Sequence, residues 1–249
     1  MGLPSHILGT LLDPGTNLGR LLPRVASATG LSRVEVVLPA AHDTASAVMA
    51  VPVVHEAHPH SRWRGQLDWC YISTGTWALM GVEVPEPVIN DDCARLNFTN
   101  EAGVGGTTRL LKNICGLWIL QECRRVWRND GRDYSWNDLH RMAAEAQPFA
   151  SIVEPDYPEF MAPERMPEAI RQACRRWGES VPESDGAVVR CVLESLALRC
   201  RQVLGWLERI TGNSLRTIHM IGGGTQNRLL CQMTSDACGR QVLAGPVEA

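Results

Sequence analysis

Three short clusters in this sequence carry residue types that phosphoryl chemistry uses. Ala41-His42-Asp43-Thr44 sets a carboxylate after an apolar run and before a small-residue helix. Ser73-Thr74-Gly75-Thr76-Trp77 separates two apolar runs, 69–72 and 78–84, and reads as a hairpin tip. Successive N–H groups in such a turn form a concave anion nest. Gly75 permits positive φ there, and the Thr74 and Thr76 hydroxyls add donors. Thr76, immediately before the second strand, is the residue expected to face a phosphate. Gly222-Gly223-Gly224-Thr225-Gln226-Asn227 lies between a strand and a helix. Backbone without Cβ atoms can approach a flat ring or a phosphate closely, and a strand–glycine–helix junction is a ready ligand site. A carboxylate, a phosphate-sized turn and a glycine niche together point to phosphoryl transfer to a hydroxyl, with Asp43 accepting the hydroxyl proton.

Each cluster also has a plainer role. Asp43 can cap the helix that follows it, which is compatible with catalysis. The Ser73–Thr76 tip can be an ordinary hairpin loop, and the glycines a tight turn. The G-x-G-x-x-G spacing of dinucleotide-binding folds is absent. Two amides extend the set. The segment 109–127 reads as one amphipathic helix, with Leu110, Ile114, Leu117, Trp118 and Gln121 on neighbouring faces. On such a helix Asn113 and Gln121 project within about 80° of each other. They could meet sugar hydroxyls or nucleotide, or bond to neighbouring loops.

The positioning elements follow from pattern. Residues 1–30 read as a Pro/Gly-rich linker ending in a short helix over 20–29. Val34–Leu38 reads as a buried strand with Asp43 beyond its carboxyl end, where α/β sheets place ligands. Residues 44–51 form a helix that stops before Pro52. Residues 68–73 and 77–84 pair as the hairpin, and 85–96 is loop. Ser135 caps a helix over 136–145. A proline-rich loop spans 148–167, and a helix follows over 168–177. The longest helix spans 185–210 and ends at Gly212. A strand at 217–221, a helix at 227–238 and a strand at 241–243 complete the set. Strands alternating with helices around one hairpin imply an α/β domain with a mixed sheet and a large helical content.

Composition excludes several alternatives. The chain has 249 residues, 45% hydrophobic and 20% charged, with a formal net charge of −3. That balance gives no basic field for nucleic acid. Nine scattered cysteines with no C-x-x-C signal neither a disulfide framework nor a zinc site. Cys174 and Cys191 flank a helix connection, where bridging is geometrically conceivable. No signal peptide opens the chain and no apolar run approaches membrane length, so the expectation is a soluble cytoplasmic protein with no membrane contact. His55, His58 and His60 sit with Arg62 and Arg64 in a polar, proline-interrupted stretch that reads as solvated loop. Asp13-Pro14-Gly15-Thr16 imitates a phosphate motif, but it lacks the preceding strand that such a motif needs.

The order of these motifs resembles the FGGY family of carbohydrate kinases. The carrying residues are 38–48, the hairpin with Leu79-Met80-Gly81, Thr99-Asn100-Glu101 through Gly105, Gly106 and 109–122, and 222–230 running on to 244–249. The likeness is nearest to the family's L-rhamnulose-phosphorylating branch and covers nearly the whole chain. Pro14-Gly15-Thr16 with Leu18-Gly19 matches that family's inter-domain linker. The resemblance implies an actin-like ATPase (ribonuclease H-like) fold, normally two such domains around a cleft. It implies transfer from ATP, accompanied by Mg2+, to L-rhamnulose. It makes Asp43 the catalytic base, with His42, Thr44 and Asn113 at the sugar. It makes Thr76 the phosphate-turn threonine, with Ser73, Thr74 and Gly75 completing the turn. Gln121, Gly222, Gly223, Gly224 and Asn227 fall at ATP, and Gly223 is the foremost choice for the adenosine site.

Two departures stand out. Ala41 replaces a usual threonine before His-Asp, and Ala102 stands where a second glycine usually follows Asn-Glu. Residues 1–30 would be the linker, and 31–249 a carboxyl-terminal nucleotide-binding domain cut short at its end. The amino-terminal kinase domain would be a missing partner, so this chain alone would be inactive. Two other expectations stay open: a sugar kinase for xylulose or glycerol, and a noncatalytic nucleotide-binding fragment.

Overall fold

The computed structural model describes residues 4–7, 9–40, 42–52 and 67–247. Ala41 and the His55–Gly65 stretch lie outside the described residues. The principal sheet has six strands: β3 (Trp69–Thr74), β4 (Trp77–Val84), β5 (Thr99–Ala102), β6 (Thr108–Cys115), β7 (Thr217–Ile221) and β8 (Gln241–Ala244). Their spatial order is β5-β6-β4-β3-β7-β8. β3, β7 and β8 run parallel, while β4, β5 and β6 join through antiparallel ladders, so the sheet is mixed.

One face of the sheet is buried under helices α4 (Trp118–Asn129), α6 (Met166–Trp177), α7 (Asp185–Thr211) and α8 (Arg228–Cys238). α7 is the spine of that layer. Ser184 caps it by accepting from the Ala187 N–H, and Gly212 ends it in the left-handed region at φ 69°. α5 (Trp136–Glu145) packs on α7 and opens with a reciprocal capping box between Ser135 and Asp138. The other face carries α2 (Asp43–Met49), whose Ala47 and Val48 join Trp69, Tyr71, Leu111 and Ile221 in a smaller core. The nine cysteines are all free thiols and eight are buried, Cys174 and Cys191 among them. Desolvation pushes Cys115 up to about 12 and Cys238 up to about 11, as expected of cysteines packed as small hydrophobes.

Three elements differ from the sequence reading. The 109–127 segment is not one helix. It is strand β6, a break at Gly116, and then α4. Arg109 and Lys112 imitate the polar side of a helix, yet both are buried on the strand. Arg109 pairs with Glu101 at 2.8 Å, and the Lys112 Nζ donates to the Leu96 carbonyl at 2.9 Å. A Cβ at Gly116 would fall 2.6–2.8 Å from the backbone of Gly75, Thr76 and Trp77, so only glycine fits where the chain turns under the hairpin. Secondly, the apolar run at 34–38 is not a buried strand. β2 (Glu35–Val37) pairs with β1 (Asn17–Arg20) in a two-stranded ribbon, and of its three residues only Val36 is partly buried. The stretch read as linker therefore holds β1 as well as helix α1 (Pro23–Thr29), none of whose residues is buried. Thirdly, the loop reading of 85–96 misses α3 (Asp91–Leu96), which Asn90 caps by accepting from the Cys93 N–H at 2.8 Å.

Candidate functional site

The site forms where β3, β4 and β7 end together. Parallel pairing sets Ser73 against Ile221, so the hairpin tip and the glycine turn emerge side by side. Their contact is close. Gly222 holds φ 87° and ψ −179°, a conformation reserved almost wholly for glycine, and a Cβ there would meet the Thr74 carbonyl oxygen at 2.8 Å. A Cβ at Gly224 would meet Thr74 Cγ2 and Oγ1, both at 2.6 Å. A Cβ at Gly223 would meet nothing within 4 Å, and this residue is exposed. Two glycines are thus required by packing on Thr74, and the one between them turns its bare backbone outward.

The hairpin tip is tied down from the other side. The Leu117 and Trp118 N–H groups at the start of α4 donate to the Gly75 and Thr76 carbonyls at 2.9 and 3.0 Å. The Thr76 hydroxyl donates to Gln121 Oε1 at 3.2 Å. The tip is less of an anion nest than its sequence implies. The Gly75 N–H is committed to the Trp77 carbonyl at 2.9 Å, and Thr74 is buried against Gly224. Thr76 is the exposed residue of the tip, and its hydroxyl proton is engaged by Gln121.

Asp43 is not beyond a buried strand, since β2 is exposed. It is the first residue of α2, with His42 in the N-cap position. Its Oδ1 accepts from the Thr44 N–H at 2.7 Å and lies 2.8 Å from His42 Nδ1. The same Nδ1 is also 3.3 Å from the Thr44 N–H. One nitrogen cannot both accept there and donate to the carboxylate. The Thr44 N–H makes its shorter contact with Asp43 Oδ1, and His42 Nδ1 sits beside both. The Asp43 side chain is 85% exposed, so its second oxygen is open to a partner.

Two cavities meet at this point. One, of about 360 Å³, brings His42, Asp43 and Thr44 against Ser73, Leu79 and Gly222. The second, of about 380 Å³, brings Gln121 and Leu117 against Gly224, Asn227 and the α5 residues Trp136 and His140. Gly75, Thr76 and Gly223 wall both. Asp43, the hairpin tip and the glycine turn therefore share one wall. Asn113 and Gln121 do not share a helix. Asn113 is exposed on β6 directly opposite Leu79, hence on the sheet face that Leu79 presents to the Asp43 cavity. Asn227 is 4% exposed, and its Oδ1 accepts from the Leu230 N–H at 3.0 Å, so that oxygen caps α8. Trp136, Asn137, His140 and Gln226 complete the second cavity. Sequence reasoning missed the three on α5, because that helix is placed by its packing on α7, while Gln226 lies inside the glycine cluster already read.

The chain belongs to the FGGY family of carbohydrate kinases: the model of that family's C-terminal domain matches residues 70–249. Among curated relatives, the whole chain aligns at 45% identity with a rhamnulokinase of Bacteroides thetaiotaomicron, covering 48% of that protein. It aligns at 41% with a rhamnulokinase of Pectobacterium carotovorum, covering 46%. The chain thus spans about half the length of the curated relatives it matches. Among solved structures, xylulose kinase from Rhodospirillum rubrum superposes with a TM-score of 0.66 at 17% identity, over 95% of this chain and 45% of that one. Gluconate kinase from Lactobacillus acidophilus gives 0.66 at 12% identity, over 94% and 44%. These likenesses show the fold, the actin-like ATPase fold with a mixed α/β sheet. The family that the motif order resembles is the family to which the chain belongs. Among the described residues, no helix is long and apolar enough to cross a membrane.

Proposed function

We propose that this chain is the carboxyl-terminal half of a kinase that transfers the γ-phosphoryl group of ATP to L-rhamnulose, giving L-rhamnulose 1-phosphate and ADP. One observation carries the reading: the two cavities that meet across Gly75, Thr76 and Gly223. One cavity holds a carboxylate and the other is walled by bare glycine backbone. A nucleotide lying on Gly222–Gly224 would run its phosphates past Thr76 toward Asp43. Asp43 is the base that takes the hydroxyl proton as the oxygen attacks phosphorus. His42, held at 2.8 Å, orients that carboxylate. Thr44, Asn113 and the open end of the Asp43 cavity receive the sugar. Gln121 holds the Thr76 side chain in place, and the single hydroxyl proton would turn from the amide oxygen to a phosphate oxygen when nucleotide binds.

Mg2+ would arrive with ATP. Among the described residues no group of three or more His, Cys, Asp or Glu side chains is placed to hold a metal ion. An ion carried chiefly by the phosphates and water would need few protein ligands, and Asp43 keeps its role as the base. When bound, the ion neutralises phosphate charge.

L-rhamnulose is the substrate because the relatives that align over the whole chain at 45% and 41% are rhamnulokinases. The missing partner is the amino-terminal domain, since the chain spans about half of those proteins. Half a cleft leaves the reacting groups exposed to water and unpositioned, and positioning supplies most of phosphoryl-transfer catalysis. The protein acts in the cytoplasm. The test joins this chain to the amino-terminal half of a rhamnulokinase and measures sugar-dependent ADP release with L-rhamnulose, xylulose and glycerol. L-rhamnulose as the preferred acceptor is the expected result. Preference for another sugar would overturn the substrate assignment, and ATP binding with no transfer to any acceptor would favour a noncatalytic module.

A further inference from the structure

The second cavity has a wall that the proposed function does not use. That wall is made by residues of α5, led by Trp136 at its first position. The indole is 36% exposed, although most large apolar side chains of this domain are buried. It does not hang freely. The Arg124 guanidinium lies over its ring, 5.2 Å from the centroid, and is itself anchored by donating from Nε to the Tyr134 carbonyl at 2.7 Å. Arg124 does not line the cavity, whereas Trp136 does. His140, one turn along α5, has its ring centroid 6.5 Å from that of Trp136, with the planes 30° apart. Both aromatic rings line the cavity that Gly223 and Gly224 also line.

Resting on the nucleotide reading of this cavity, we propose that Trp136 is the base-stacking residue of the site, holding the purine ring of ATP against Gly223 and Gly224, with His140 extending the aromatic wall. The chemistry agrees. A base needs an apolar planar surface on one face and close backbone approach on the other. Trp136 supplies the first at little entropic cost, because the capping box at Ser135 and the Arg124 contact have already fixed it. Desolvation lowers the His140 pKa, so the imidazole is neutral near pH 7 and puts no charge of its own against the ring. The phosphates do not reach this wall. They lie toward Thr76 and Asp43, on the other side of Gly223. Trp136 thus discriminates nucleotides from other polyphosphates without touching the reacting atoms.

Calorimetric titration of the 249-residue chain with ATP and, separately, with inorganic tripolyphosphate tests this assignment. Stacking on an aromatic side chain makes Trp136→Ala weaken ATP binding about 10- to 100-fold. Trp136→Phe should keep ATP affinity within a few fold, and neither variant should change tripolyphosphate binding. Equal ATP affinity in wild type and Trp136→Ala overturns the proposal and leaves the nucleotide site standing. Parallel losses for ATP and tripolyphosphate overturn it too, because they make Trp136 a packing residue only. A wild-type chain that binds tripolyphosphate but shows no preference for ATP removes the nucleotide reading itself.

Discussion

Replacing Gly224 and Gly223 separately by alanine should split stability from binding within one three-residue turn. At Gly224 the new Cβ lands 2.6 Å from both Thr74 Cγ2 and Oγ1, and 3.0 Å from Thr74 Cβ. Real Cβ contacts do not come that close, and Thr74 is 3% exposed on a strand hydrogen-bonded on both sides, so it has little room to retreat. Overpacking of this kind costs about 1–3 kcal/mol. For a chain of this size each kcal/mol moves Tm by roughly 2–4 °C, so Gly224→Ala should melt about 2–12 °C below wild type. At Gly223 the Cβ meets nothing, and Tm should stay within about 1–2 °C of wild type, the range for unobtrusive surface changes. ATP binding should respond inversely: Gly223→Ala sets a methyl group on the surface proposed to receive the nucleotide and should weaken binding with Tm intact. Adding Thr74→Ala to Gly224→Ala removes both 2.6 Å clashes and should recover part of the lost Tm. Differential scanning fluorimetry with and without ATP reads all four proteins. An unchanged Tm in Gly224→Ala, or equal losses in both single variants, would refute the reasoning.

Other outcomes follow from the same geometry. This chain alone should show negligible L-rhamnulose-dependent ADP release, and robust turnover by it would remove the need for a second half. In the two-half assembly, Asp43→Asn should lower turnover about 10²- to 10⁴-fold, the usual contribution of a general base, with Tm unchanged because the side chain is mostly exposed. Burial lowers the pKa of His219, which sits edge-on to Trp69 with its Nδ1 unpartnered, and of His140. The unfolded chain then binds more protons, so this contribution is complete above the unfolded pKa of about 6.5 and is lost as pH falls below it. Tm measured from pH 7 to pH 5 should therefore drop, and His219→Phe should flatten the drop. An identical slope in the variant would contradict the assignment.

Most of the sheet and the spine helix were legible because local chemistry and tertiary role agree there. The 217–221 strand matches its observed limits, and Ser135, Gly212 and the 77–84 strand serve as read. The failures have separate causes, and at 109–115 polar residues stood in for exposure. Arg109 and Lys112 are buried beside Glu101, the Leu96 carbonyl and the Trp206 ring, which lies 5.8 Å from the Lys112 Nζ. A strand carrying them counterfeits an amphipathic helix, and Gly116 was the available signal that it ends. The Val-rich run at 34–38 erred the other way, since a two-stranded ribbon leaves apolar side chains in solvent. α3 was announced by Asn90-Asp91-Asp92, a capping signal hidden behind Pro85 and Pro87. Asp43, Thr76 and Gly222–Gly224 could be chosen from motif order, whereas the α5 wall depends on how one helix packs on another.

The central claim is geometric: one continuous wall runs from the glycine turn through Thr76 to Asp43. A crystal structure of the two-half assembly with a nonhydrolysable ATP analogue tests it most directly. The expected result is the base over Gly223, the phosphates passing the Thr76 hydroxyl, and the γ-phosphate at the mouth of the Asp43 cavity. A nucleotide bound elsewhere, or bound with its triphosphate directed away from Asp43, would contradict it.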